Sequence, residues 1–270
     1  MDNAAPYILE ETGDFAVVFK PPGMHCLPLG EKKGDTLFEW YAAHNPKAFD
    51  LVHRLDYETH GLALFANNKK SYDFFKVLQA GGEFIKEYSA VCSRAVSSRA
   101  VFTSSGFPPP PALALGEASP EKPLIIESFF RPFALGRKQV RPVINDGKKH
   151  KEVAKDRGTY YRTEIIDIAK LRLASISSAA HAANNGAING NVFTVRIRRG
   201  FRHQIRCHLC WIGFPILNDP LYNYPAEDGT LAFQDTLALR RILALRARAL
   251  FFTDPSSGRR LEYNIAPLVE

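Results

Sequence analysis

Cysteine is scarce in this sequence, long apolar runs are missing, and acidic residues are outnumbered by basic ones. Each shortage excludes something. Four cysteines in 270 residues do not make a disulfide framework. A reducing compartment, the cytoplasm, is therefore expected. No apolar run approaches the ~20 residues that a membrane-crossing helix needs, so no membrane partner is expected. The opening stretch, Met1 to Glu11, lacks the basic and apolar regions of a secretory signal, and it is too acidic for a transit peptide. A metal set is missing as well. Cys207 and Cys210 form a lone Cys-x-x-Cys beside His203 and His208, and no second cysteine pair lies at the spacing a tetrahedral zinc site requires. These read as ordinary thiols, with no metal.

What is present is the composition of a globular protein with a real core, 46% hydrophobic. The length suits one large domain or two small ones. Net charge is +7, unevenly spread. Residues 1–50 hold four lysines against eight acidic residues, so the remaining 220 carry +11. Arg196, Arg198, Arg199, Arg202 and Arg206 fall in one short segment, and Arg240, Arg241, Arg246 and Arg248 form another group. A one-sided basic surface points to a phosphate backbone as partner.

The chain turns on residues 51–66. Two apolar runs, Leu51-Val52 and Leu62 to Ala66, read as strands. Between them lies a dense polar link of His53, Arg54, Asp56, Glu58, Thr59 and His60, closed by Gly61. Such a connector between buried strands is either a solvated turn with a surface ion pair or a place where a scaffold positions reactive groups.

The rest of the chain sorts by periodicity and punctuation. Ala16 to Phe19 reads as a strand that Lys20-Pro-Pro-Gly23 breaks. Thr36 and Glu39 have capping-box spacing at the head of a helix to His44, with Leu37, Trp40 and Tyr41 facing the core. Asn68 caps a helix to about Ala80, with a Tyr72, Phe75 and Leu78 stripe, and Gly81-Gly82 ends it. Phe84 to Val91 is a strand. Residues 104–123 are a proline-rich irregular loop, and residues 129–158, with Lys148 to Lys151, are surface open to RNA. Tyr160 to Leu173 is strand-like, whereas residues 174–191 are rich in Ala, Ser and Asn and read as an insertion loop. Val192 to Arg198 alternates as a half-buried strand. A helix follows with Ile205, Leu209 and Ile212 inward, and with Arg202 and Arg206 sharing another face. Leu250 to Thr253 and Leu261 to Ile265 make a hairpin.

Four of these segments together resemble a known family. His53-Arg54-Leu55-Asp56, Thr59, Gly61 and the apolar run to Ala66 resemble the central motif of the RNA pseudouridine synthases of the large-ribosomal-subunit pseudouridine synthase A (RluA-like) type. Lys20-Pro-Pro-Gly23 is similar to the first motif, and Lys86-Glu-Tyr88-Ser-Ala90 to the Lys-x-Tyr-x-Ala motif. His203-Gln204-Ile205-Arg206 and His208, then Gly213, Pro215, Ile216, Asp219 and Tyr222, resemble the third. The departures are His60 for serine, Asn67-Asn68 for a lysine, Phe201-Arg202 where arginine then another residue is usual, and Asn218 for glycine. Asp219 is expected as a structural turn residue.

The resemblance implies an α+β fold: a large mixed, mostly antiparallel sheet with flanking helices and a central basic cleft. It implies one catalytic domain over residues 1–270, without the small N-terminal RNA-binding domain that many relatives carry. The implied activity is isomerisation of uridine to pseudouridine in ribosomal or transfer RNA, by a monomer that needs no cofactor. Asp56 is the implied catalytic carboxylate, either attacking covalently or assisting departure of the base. Arg206 keeps Asp56 ionised and oriented, and Tyr88 packs against the base and helps move a proton. Arg54 fills the gap left by the displaced base, with His53 beside it, and Arg202 and His203 hold phosphates. Two other readings remain open: an RNA-binding protein without catalysis, and a carboxylate-dependent hydrolase acting on RNA.

Overall fold

Every residue of Phe15-Ala-Val-Val-Phe-Lys20 is buried, the lysine included, and the strands are laid out around this segment. The structure, a computed structural model, describes residues 5–28, 34–92, 107–111, 118–144, 160–174, 187–222 and 242–269. In chain order the elements are β1 (Tyr7–Glu11), β2 (Phe15–Lys20), α1 (Leu37–His44), β3 (Asp50–Leu51), β4 (His60–Ala66), α2 (Lys69–Gly81) and β5 (Ile85–Cys92). Then follow β6 (Leu124–Phe133), β7 (Gln139–Val143), β8 (Tyr161–Ala174), β9 (Ala187–Ile197), α3 (Gln204–Trp211), β10 (Leu245–Thr253) and β11 (Arg260–Asn264). The mixed sheet with few helices is the expected α+β class. The chain divides into two compact units, residues 1–89 with 245–270, and residues 90–244.

In the first unit the strand order is β1-β2-β4-β10-β5, with β3 beside β4 and β11 beside β10. β2 pairs antiparallel with β4, whereas β10 pairs with β4 in parallel, Arg246 opposite His60 and Ala247 opposite Gly61. The parallel pair is tight. Gly61 has φ +120°, and a methyl group there would sit 2.2 Å from the carbonyl oxygen of Ala247. Glycine alone meets both demands. Under this sheet Phe15, Phe75, Phe84 and Phe252 pack edge to face, with centroids 5.2 to 6.1 Å apart. α2 contributes Phe75 and Leu78 to that core, each worth about 1.5–3 kcal/mol of burial.

Helix ends follow their local chemistry. Thr36 and Glu39 form the reciprocal capping box of α1. Leu37 and Tyr41 are buried, but Trp40 is half-exposed beside His44, so it does not reach the core. The Asn68 side chain accepts from the Ser71 amide to start α2, and Gly82, at φ +76°, ends it.

The second unit stacks β9-β8-β6-β7 in antiparallel order, with α3 against β7 and β8. Phe193, Val195 and Ile197 are buried along β9, while Arg198 is exposed, the alternation read from the sequence. Of the insertion loop expected at 174–191, the described residues at both ends are strand, Ala174 closing β8. Residues 187–191 continue β9, pairing Ala187 with Ala174 through Asn191 with Lys170. A ladder satisfies backbone groups whatever side chains it carries, so weak apolar content does not stop it. Residues 175–186 lie outside the described residues, as do Lys148 to Lys151, Arg240 and Arg241. Phe107 to Pro111 has neither helix nor strand, and Trp211 Nε1 donates to the Pro108 carbonyl at 2.8 Å.

Candidate active site

The polar link between β3 and β4 is clamped from the Lys20–Gly23 turn. Lys20 Nζ, with no exposed surface, donates to the carbonyls of Met24 at 2.7 Å, Pro21 at 3.0 Å and Tyr57 at 3.1 Å. The Gly23 amide donates to the same Tyr57 carbonyl at 3.0 Å. Cys26 adds a reciprocal pair, with Sγ donating to the Leu55 carbonyl at 3.3 Å and accepting from the Leu55 amide at 3.2 Å. Asp56 is thus bracketed by two residues whose backbones are tied down. Burial pushes Lys20 down to about 8, opposed by Cys26, Asp56 and Glu58 nearby. From sequence Lys20 is simply part of the Lys20-Pro-Pro-Gly23 turn. Its role under the loop rests on three carbonyls, which no side-chain pattern announces.

The side chains of the link point different ways. Asp56 is half-buried, Arg54 is exposed, and His53 is buried against Phe84, ring centroids 5.3 Å apart. Burial holds His53 well below the usual imidazole range, with Lys86 and Lys76 adding to the effect, so its ring is neutral. Tyr88 on β5 is 5% exposed. Burial first, then the negative charge of Asp56 and then Cys26, raise its phenol well above the ordinary range. Tyr88 is therefore a neutral hydroxyl that senses the Asp56 carboxylate. Lys86, two residues earlier, is pushed down to about 7 by burial and by Lys76. His60, in the serine position, is buried in β4 and lowered to about 3 by burial, Arg246 and Lys20.

In the second unit all eight residues of α3 are buried, and so is every atom of the Arg206 side chain. Arg206 Nε donates to Asp219 at 2.7 Å and Nη2 to its other oxygen at 2.8 Å. Asp219 Oδ1 also accepts from the amides of Leu221 at 2.9 Å and Tyr222 at 3.1 Å, so it is a turn residue and an ion-pair partner at once. Arg202 and Arg206 do not share a helix face. Arg202 precedes the helix, because His203 at φ +56° turns the chain, and it is exposed. Its guanidinium donates to the carbonyls of Arg137 at 2.6 Å and Gln139 at 3.2 Å, bracing the turn between β6 and β7. His203 Nδ1 lies 3.2 Å from the Tyr222 hydroxyl. Phe201, where the family has arginine, stacks on Phe130 at 5.0 Å.

Of the Cys-x-x-Cys thiols, Cys207 Sγ donates to the Val140 carbonyl at 3.5 Å. Cys207 and Cys210 are buried, and burial raises both thiols well above their usual range. His208 has its Nε2 2.9 Å from Ser128 Oγ and its Nδ1 2.7 Å from Thr163 Oγ1. Among the described residues no group of three or more His, Cys, Asp and Glu side chains converges as a metal set would.

Asn218, in the family's glycine position, has φ +59°, and its side chain donates to the Ile242 carbonyl at 3.0 Å. Asparagine is among the few residues with side chains that tolerate this conformation. Asn218→Ala should lower stability by about 1–2 kcal/mol, through strain and the lost bond. Asn218→Gly should recover the strain part, and urea midpoints of the three proteins check the order.

Residues 14–211 match the model of the family described as RNA pseudouridylate synthase. An uncharacterized protein of Caenorhabditis elegans is 28% identical over 217 residues, covering 80% of this chain and 38% of that protein. A ribosomal large subunit pseudouridine synthase D of Buchnera aphidicola is 22% identical over 221 residues, 80% of this chain and 54% of the relative. The chain thus spans less than two thirds of the length of these curated relatives. A solved structure of human RNA pseudouridylate synthase domain containing 1 superimposes with a TM-score of 0.61 at 17% identity, covering 98% of this chain and 86% of that one. That likeness is one of fold. With the family model matched over well more than half of its length, the chain belongs to the RNA pseudouridylate synthase family.

Proposed function

We propose that this chain isomerises uridine to pseudouridine within structured RNA, ribosomal or transfer, with Asp56 as the catalytic carboxylate. The observation that carries the reading is the Asp56 loop, braced by Lys20 and Cys26 and close enough to Tyr88 to act on its phenol. The chemistry suits those groups. The N1–C1′ bond breaks, the uracil turns, the C5–C1′ bond forms, the hydrogen on C5 leaves as a proton, and N1 takes up a proton, so the composition is unchanged. An ionised carboxylate beside the sugar can attack C1′ or assist departure of the base. A neutral Tyr88 can pack on the uracil and donate a hydrogen bond to it. Arg206, held in one plane by Asp219, is proposed to orient Asp56 when RNA is bound. Arg54, exposed on the same loop, is proposed to occupy the gap left by the extruded base. We also propose a cytoplasmic monomer, consistent with four cysteines that are all free and buried.

RNA labelled with tritium at C5 of uridine should release the label to water in proportion to pseudouridine formed. Because nothing is oxidised or reduced, release should persist in EDTA once the RNA is shown to stay folded. No release from any cellular RNA pool would replace the synthase reading with that of an RNA-binding protein. A requirement for added zinc or magnesium would remove cofactor independence alone.

A further inference from the structure

Tyr57 follows Asp56 directly, and 45% of its surface is exposed. It is nonetheless held in place. Its carbonyl accepts from both Lys20 Nζ and the Gly23 amide. Its ring lies against that of half-buried His25, centroids 4.5 Å apart and tilted by 40°. Its hydroxyl oxygen would be 3.8 Å from a methyl group at Gly23, so the far end of the ring rests on the Lys20–Gly23 turn. The result is an aromatic surface fixed on one side, open on the other, and one residue from the carboxylate.

We propose that Tyr57, backed by His25, is a stacking platform for an unpaired nucleobase of the RNA, adjacent to the uridine on which Asp56 acts. This rests on the synthase reading and adds a base subsite to it. A uridine that leaves its stack uncovers the faces of its neighbours, and those faces need a new partner. Single-stranded bases find it on fixed aromatic rings, with little regard to base identity. A tyrosine ring carries no charge for a phosphate; the cation on this loop is Arg54. A lone ring pair is also far too small for a stable protein interface, which takes about 800 Å² on each side.

The test uses the full chain and a pool of hairpin RNAs with randomised loops, some containing 5-iodouridine. Illumination should crosslink the iodouridine to Tyr57, located by mass spectrometry of the digested wild-type protein. Tyr57→Ala should weaken RNA binding roughly tenfold, the size of one base–aromatic stack, with the salt dependence unchanged because no phosphate contact is lost. Tyr57→Phe should restore the affinity. Crosslinks confined to other residues, or a Tyr57→Ala protein that binds as tightly as wild type, would overturn the platform. The crosslink is read on the wild-type chain, so it decides the matter even if Tyr57→Ala fails to fold. Tritium release by the wild type judges the synthase reading separately: an active enzyme without the crosslink loses only the platform.

Discussion

Asp56→Asn should abolish turnover while leaving RNA affinity within about a factor of ten, roughly 1.4 kcal/mol. Affinity in such a protein comes from many phosphate contacts spread over basic surface, and one half-buried carboxylate adds little to that sum. Its charge even opposes the phosphates. Turnover is another matter. Asparagine keeps the shape and one acceptor oxygen but cannot attack C1′ or balance positive charge developing there. A loss of at least roughly 10³-fold in the single-turnover rate is expected. The loop itself should survive, because its braces run from Lys20 and Cys26 to backbone atoms of Leu55 and Tyr57 and not to the carboxylate. Near-normal turnover in Asp56→Asn would remove the catalytic assignment outright. Filter binding alongside the rate separates lost catalysis from a lost RNA site.

Removing Arg206 should be the most damaging single change to stability. Its charge and that of Asp219 are both completely buried and joined by two short bonds. Arg206→Met leaves Asp219 as an uncompensated buried carboxylate, at about 3–5 kcal/mol. This complicates any reading of Arg206 as a catalytic group, since lost activity could follow from lost structure. Asp219→Asn supplies the control. The amide keeps one oxygen for the Leu221 and Tyr222 amides but carries no charge. Arg206→Met with Asp219→Asn should therefore be more stable than Arg206→Met alone, measured by urea denaturation. Turnover then decides the role of the arginine. If Arg206 orients Asp56, the double variant stays inactive while folded, and adding Asp56→Asn makes it hardly worse. If turnover returns with stability, Arg206 is scaffold and its pairing with Asp56 is wrong.

What was legible in the sequence was mostly local. The Thr36–Glu39 box, the Asn68 cap and the alternation at Phe193, Val195 and Ile197 each involve neighbours within four residues, where spacing alone dictates geometry. The Asp254 to Gly258 turn is of the same kind, with Asp254 accepting from Ser256 and Ser257. The motif around Asp56 was legible as a polar link between buried strands. The means of holding it were not. Lys20 reads as a charge in a turn, yet it is buried because backbone carbonyls surround it, and backbone carbonyls leave no trace in side-chain pattern. Arg206 and Arg202 have helical spacing, but a left-handed residue at His203 ends that regularity before it starts. The place of β10 between β4 and β5 depends on pairing across most of the chain, which periodicity does not encode.

That last pairing has a consequence for how the protein is made. Residues 1–89 cannot finish their sheet or close the aromatic core around Phe15 and Phe75 until Leu250 and Phe252 arrive. At about 5–20 residues per second, the intervening stretch occupies the ribosome for on the order of ten to thirty seconds. During that wait β4 has an open edge along its Gly61 side, and the continuous middle unit can fold first. The arrangement exposes the half-built sheet to chaperones and to pairing with other nascent strands. It also makes the Gly61–Ala247 junction wait for β10, whereas the braces from Lys20 and Cys26 to the Asp56 loop need only the early strands.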